Sequence, residues 1–278
     1  TTGLGTAVLG MTVLGFLVGA SASFAEGGGP EKNPLSPWYL SDVERWWHVD
    51  GLIGIESEPD YVGSDDNETE IGGFVRGLFK DRFGNRYAVG FEEFGAVFYP
   101  GERWAFGIDL EFEEGRETEN ADLVGLPDGE ETLEGEFTLY RRFGDGYGAV
   151  VVQPDLLDRG KGIVYFIGYA YDYLSPSGRW LFSPRMDVSW GDQEHMQTEF
   201  GLTLSQSEII GQPVYTPGGG LKSSTAGLQV QRFWGRRWSW LADFEVEHYF
   251  SKAADSPLIA ELGSDVTFEA TIGVFFRF

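Results

Sequence analysis

The chain has 278 residues, with 20 Lys+Arg against 44 Asp+Glu, giving a formal charge of −24 and a pI near 4.3. A nucleic-acid binder is excluded, because counterion release from phosphates needs many basic side chains; the absence of Cys removes disulfides, thiolate metal sites and Cys nucleophiles. With 40 Gly, 22 Phe, 12 Tyr and 9 Trp, the composition points to β-structure with tight turns, and a mean hydropathy of −0.20 excludes a polytopic helical membrane protein but not a membrane β-barrel, whose alternating strands average out.

Residues 1–25 carry no charged side chain, and residues 7–20 (AVLGMTVLGFLVGA) have the length of a signal h-region. The stretch ends in SASFA, with small Ser23 and Ala25 at the −3 and −1 positions of a cleavage site. A signal peptide over 1–25 is therefore expected, its start incomplete because the chain opens on Thr1-Thr2 with no Met and no basic n-region. Residues 26–45 combine Gly, Pro and charge without periodicity and read as a flexible lead-in, leaving 46–278 as one β-barrel domain.

From there the period is 2. Trp104, Phe106, Ile108, Leu110 and Phe112 alternate with Ala105, Gly107, Asp109 and Glu111. The same pattern runs through Trp180–Trp190 and Trp238–Val246, with Leu181 and Leu241 as exceptions. Apolar Val266, Phe268, Ala270, Ile272, Val274, Phe276 and Phe278 close the chain on one face, and Phe275 is the large apolar residue on the other. A soluble sandwich would alternate too. Lipid is favoured because the apolar faces begin or end on Trp or Phe, as an interfacial girdle requires, and because the segments exceed the usual ~5–6 residues. Phe278, with Phe276 and Val274, resembles the C-terminal signal read by the barrel-assembly machinery.

The predicted fold is all-β: a transmembrane antiparallel up-and-down barrel of twelve strands, near 46–57, 70–80, 86–98, 102–113, 133–143, 147–153, 161–173, 180–191, 197–205, 222–234, 236–250 and 264–278. In that count the connection 114–132 falls on the periplasmic side with the termini. Ten strands is the alternative, with 197–205 in an outer loop and one strand among 46–98 spurious; a phase slip at Glu92-Glu93 hints at it. Pro154 marks a strand end and Gly218-Gly219-Gly220 a turn in a long outer loop.

Several ordered motifs resemble the MipA/OmpV family of outer-membrane proteins, named for the MltA-interacting protein. They are PDYVGSD (59–65), LSPSGRWLFSPRMDVSWGD (174–192), EFGLTLSQSE (199–208), VYTPGGGLKS (214–223), AADSPLI (253–259) and the closing FFRF. The motif residues carried over are Pro59, Tyr61, Gly63, Ser64, Asp65, Gly201, Gly218, Gly219, Asp255, Ser256 and Pro257. His195 and Glu199 stand where the family often has Tyr, and 114–160 carries no family motif. The resemblance implies a Gram-negative outer-membrane barrel in contact with lipid and lipopolysaccharide. It also implies a scaffold that links a lytic transglycosylase to a penicillin-binding protein, other members being adhesion or porin-like proteins.

No catalytic set emerges. His48 shares the polar face of the first strand with Asp50, His195 lies in the acidic turn GDQEH, and His248, near Ser251, has no orienting third residue for a rim hydrolase. Acidic Ser64–Glu68 and Glu113, Glu114, Glu117 and Glu119 lack the spacing of a calcium loop and read as solvated. No enzyme activity, metal or cofactor is expected. The alternative to a scaffold is a cation-preferring channel lined by Asp109, Glu111, Asp243 and Glu245.

Overall fold

The computed structural model describes residues 46–90, 93–113, 123–126, 131–234 and 237–278; the expected signal peptide, the lead-in and most of 114–132 lie outside the described residues. One antiparallel sheet contains β1 (Trp47–Pro59), β2 (Asn67–Lys80), β3 (Arg86–Val89), β4 (Glu93–Phe98), β5 (Trp104–Glu113), β6 (Thr132–Phe143) and β7 (Gly146–Pro154). It continues with β8 (Ile163–Tyr171), β9 (Tyr173–Leu174), β10 (Trp180–Gly191), β11 (Gly220–Phe233), β12 (Trp238–Tyr249) and β13 (Val266–Arg277). The two-residue β9 lies against the start of β10, and the other twelve strands close into a ring in which β13 returns to β1. Closure leaves no unpaired edge, as hydrocarbon demands of a spanning sheet. Among the described residues no helix is long and apolar enough to cross a membrane, so the crossing is by strands.

The count of twelve holds, but two of its members change. The expected single strand 86–98 is a hairpin: β3 pairs with β4 through Arg86↔Val97 and Val89↔Phe94, and the slip at Glu92-Glu93 marks the reversal between them. The expected strand 197–205 is instead the end of α1 (Gln193–Phe200) and the start of α2 (Leu204–Ile210). Phe200, Leu202 and Leu204 mimic a period of 2 there, yet Leu202 is fully buried while Leu204 is exposed. Helix punctuation overrides that alternation. Asp192 caps α1 by accepting from His195 N at 2.8 Å, Thr203 and Gln206 form a reciprocal capping box on α2, and Gly211 ends it in the left-handed region at φ 73°. Moving one strand from 197–205 to the 86–98 hairpin reverses the sense of every strand between them. The connection 114–131 therefore joins the long-loop end, not the periplasmic side, because β5 and β6 pair with Glu113 opposite Thr132.

Apart from the short β3–β4 connection, the connections now sort by length. Residues 81–85, 99–103, 144–145, 175–179 and 234–237 make short turns at the end that holds both Trp47 and Arg277. Residues 60–66, 155–162, 192–219 and 250–265 make the longer loops at the other end. In outer-membrane barrels the short turns face the periplasm. Ile53, Ile71, Ile108, Phe244 and Phe268 point to lipid, and between girdle residues Trp180 and Trp190 a strand rising ~3.3 Å per residue at ~40° tilt spans about 25 Å, the height of an outer-membrane apolar band.

Candidate functional site

The lumen is built by the second face of the strands. Among the described residues, carboxylates line its middle and loop-facing half: Glu56, Glu58, Glu70, Asp109, Glu111, Glu134, Glu136, Asp187, Asp243, Glu245, Glu247 and Glu269, in inward register with their neighbours. Arg185 crosses this belt. Its guanidinium donates to both Asp243 oxygens at 2.8 and 2.5 Å and to Glu245 at 2.5 Å. Gly227, between β10 and β12, makes room: a Cβ there would sit 2.6 Å from the Arg185 Cζ. Lys222 adds a second cation, 3.6 Å from Glu247 at a bulge opposite Ser189 and Trp190.

Towards the turn end several inward side chains are apolar or aromatic. Leu181, Leu241 and Phe275, the three exceptions to the alternation, point inward there and are buried, and Tyr140 packs edge-on against Tyr147. Their phase is lumenal; only their polarity is unusual. Below them Arg277 clasps Asp50 across the β13–β1 seam, with Nε and a terminal nitrogen 2.6 and 2.9 Å from the carboxylate oxygens, and Asp50 is fully buried.

The loop end carries a small core of its own. Tyr61, Leu123, Leu126, Leu202 and Leu258 form one buried cluster; Met196, Phe200, Tyr249, Ala253 and Ile259 form a second. The family-motif residues clasp these loops together. The Tyr61 hydroxyl donates to Leu262 O at 3.0 Å, and Ser264 N donates to Gly63 O at 2.8 Å. Gly63 sits at φ 85°, where a Cβ would also lie 2.5 Å from Ile259. Ser64 N donates to Tyr61 O, and Ser64 accepts from Asp66 N; Asp65 is exposed and Pro59 ends β1. Gly201 ends α1, Gly219 O accepts from Lys252 Nζ at 2.9 Å, and Gly218 lies beside the same ammonium. Asp255 caps α3 (Ser251–Ala254). Buried Ser256 donates to Phe200 O at 2.7 Å and caps α4 (Pro257–Ala260), whose first residue is Pro257. The residues expected to form an assembly signal sit elsewhere: Val274, Phe276 and Phe278 face outward at the turn end, with Trp238 against the Phe276 and Phe278 rings at 5.6 and 5.9 Å.

His195 packs under α1. Burial, with the Lys222 charge adding to it, pushes its imidazole down to about 4 against the opposing pull of Glu199 and Asp192. Its Nδ1 donates to Lys161 O at 3.1 Å, leaving Nε2 the bare nitrogen, buried and without a partner among the described residues. Burial raises Asp155, but hydrogen bonds from Thr132 and from the backbone of Lys161, Arg159 and Leu157 outweigh it and hold this carboxyl below its usual range. His48 is buried in the lumen wall; His248 lies 3.9 Å from Asp265 and packs edge-on against Phe250 at 4.6 Å. Among the described residues no group of three His, Asp or Glu side chains is placed to hold a metal ion; Glu114, Glu117 and Glu119 lie outside them.

Charge is strongly polarised along the barrel axis. The four described long loops carry twelve acidic side chains against three basic ones, Arg159, Lys161 and Lys252. The turn end loses this excess: its described turns carry Arg82, Arg103, Arg179 and Arg237 against Asp81, Glu102, Asp145 and Asp172, and the adjoining strand ends add the basic Lys80, Arg86, Arg141, Arg142 and Arg232. Neither this rim nor Arg185 was legible from composition, because a net charge has no position. The usable signal was the clustering of Arg at the predicted turns.

Comparison with known proteins places the chain. The family model described as MltA-interacting protein MipA matches residues 52–278. No curated protein matches. Among solved structures, an outer membrane channel from Pseudomonas putida F1 is similar at 12% identity, with 87% of this chain and 99% of that chain covered and a TM-score of 0.45. The toluene transporter TbuX of Ralstonia pickettii is similar at 8% identity, with 94% and 96% covered and a TM-score of 0.40.

Proposed function

The chain belongs to the MipA family, an outer-membrane barrel of the Gram-negative envelope, and from that premise we propose that it is a non-catalytic scaffold for peptidoglycan-remodelling enzymes. A lytic transglycosylase is the first partner and a penicillin-binding protein the second. The observation that carries this reading is the family match over residues 52–278. The barrel wall is lipid-facing, so docking must use the turn end and the lead-in 26–45.

This changes the complementarity expected from composition. An acidic chain predicts a basic partner surface, yet at the end that faces the periplasm the described turns balance Arg82, Arg103, Arg179 and Arg237 against Asp81, Glu102, Asp145 and Asp172, and the adjoining strand ends add only basic side chains, Arg141 and Arg232 among them facing lipid. The partner surface that fits it is acidic. Association should weaken with salt, since exposed charges are screened over ~8 Å at about 0.15 M. The long connection 114–131, at the opposite end, has no part in it.

Affinity capture of the detergent-solubilised barrel from cross-linked envelopes tests the reading. A co-purifying murein enzyme supports it. A second reading, a cation-preferring channel, is favoured by the lumenal carboxylates; ion-conducting steps in planar bilayers without a co-purifying enzyme would select it.

A further inference from the structure

Two arginines at the turn end face lipid, not the periplasm. Along β6, Thr138 and Tyr140 point inward and are buried, whereas Leu139 and Arg141 point outward and are exposed. Along β11, Gln229 and Gln231 are the buried inward residues, and Leu228 and Arg232 the exposed outward ones. Each Arg is paired in register with a Trp: Arg141 with Trp104 on β5, and Arg232 with Trp180 on β10 and Trp240 on β12. The Arg141 guanidinium lies 5.1 Å from the ring centres of both Trp104 and Phe143, and that of Arg232 lies 5.4 Å from Trp180. Among the described residues neither has a carboxylate within ion-pair distance.

A guanidinium on a lipid-facing surface is tolerated only near the interface, and it keeps its charge there. These two stand within two residues of a strand end, at the level of the aromatic girdle, where the anions are lipid phosphates. Flanking rings fix the planar fork by cation–π contact and leave its donor edge free, and that edge matches a phosphate bidentately. We propose that Arg141 with Trp104 and Phe143, and Arg232 with Trp180 and Trp240, are two binding sites for the phosphodiester of anionic phospholipids in the periplasmic leaflet. The surplus of basic side chains around that rim favours a net-anionic lipid over a zwitterionic one.

Native mass spectrometry of the full barrel, released from micelles holding equal phosphatidylglycerol and phosphatidylethanolamine, tests this. Wild type should retain phosphatidylglycerol preferentially. Arg141→Gln with Arg232→Gln should reduce that retention about tenfold or more, as expected for losing a charge-assisted bidentate contact. Arg→Lys at both positions keeps the charge without the fork and should fall between. Millimolar inorganic phosphate should not displace the lipid, which separates a headgroup site from a free-anion site. Should the double variant fail to fold, the wild-type melting temperature should still rise with added phosphatidylglycerol and not with phosphatidylethanolamine. Equal retention of the two lipids, or unchanged retention in the folded double variant, would overturn the proposal.

Discussion

Asp50 and Arg277 meet where the last strand returns to the first, and both are withdrawn from water. Removing one partner of a buried pair strands the other charge, so Asp50→Ala should cost about 3–5 kcal/mol. Denaturant unfolding in lipid vesicles, followed by Trp fluorescence, measures it. A pH-dependent counterpart sits in the loops. His195 falls to about 4 on folding, below its unfolded value of ~6.5, so the unfolded state binds the extra proton between those values. Stability from this group is complete above pH ~6.5 and is lost as pH falls towards 4, amounting to roughly 3 kcal/mol. Limited proteolysis of the loop end should accelerate across that window, and His195→Asn, which keeps a donor for Lys161 O, should flatten the response. An identical acid response in that variant would place the sensitivity elsewhere. Of these residues the sequence showed only their phase: that Asp50 and Arg277 face each other depends on which strands adjoin, which a linear pattern does not contain.

At the scale of elements, the alternation placed most strands because a period of 2 sets successive side chains on opposite faces, and one apolar face then needs lipid or a core to cover it. It failed where a loop imitates it, at Phe200–Leu204, and where a tight reversal interrupts a long run, at Glu92-Glu93. Both failures had local signals in the caps and the slip. The lipid-facing register implies that Arg at Ile108 or Phe244 should cost about 2–4 kcal/mol near the midplane. Gly107 and Asp243, though lumenal, make poor controls: a Cβ at Gly107 would meet Tyr140 at 3.2 Å, and Asp243 holds Arg185. Glu70→Arg, which puts a cation into the acidic lumen, should cost less than ~1 kcal/mol. At the chain's end, Phe278 exchanges two backbone hydrogen bonds with Val49, at 2.8 and 2.9 Å. Deleting Phe278 should therefore lower outer-membrane levels through the seam as well as through recognition. Phe278→Ala keeps those backbone bonds and isolates the ring. If the ring is the assembly signal, this variant too should accumulate in the periplasm, whereas normal amounts of heat-modifiable protein in the membrane would show that it is not.

The whole molecule is a barrel with an acidic outer end, a lumen lined by carboxylates with buried side chains towards the periplasm, and basic side chains on the strand ends at the periplasmic rim. Family membership was legible from stretches that resemble the family in order along the chain, and most of the residues singled out in them clasp the loop end, opposite the turn end. Because of that separation, the motifs revealed the fold better than the function. The proposed partner surface was illegible because it would be made from five turns that only the closed ring brings together. Reversing charge on exposed turn residues should test it without disturbing the lumen: Arg82→Glu with Arg103→Glu and Arg179→Glu should leave folding and membrane levels unchanged. The most direct measurement is affinity capture of wild type and this triple variant from cross-linked envelopes at low and high salt. We expect a lytic transglycosylase to co-purify with wild type at low salt, to fall at least several-fold at high salt, and to be lost with the triple variant. Equal capture by both proteins at both salts, or none by either, would contradict a scaffold that binds through its basic rim.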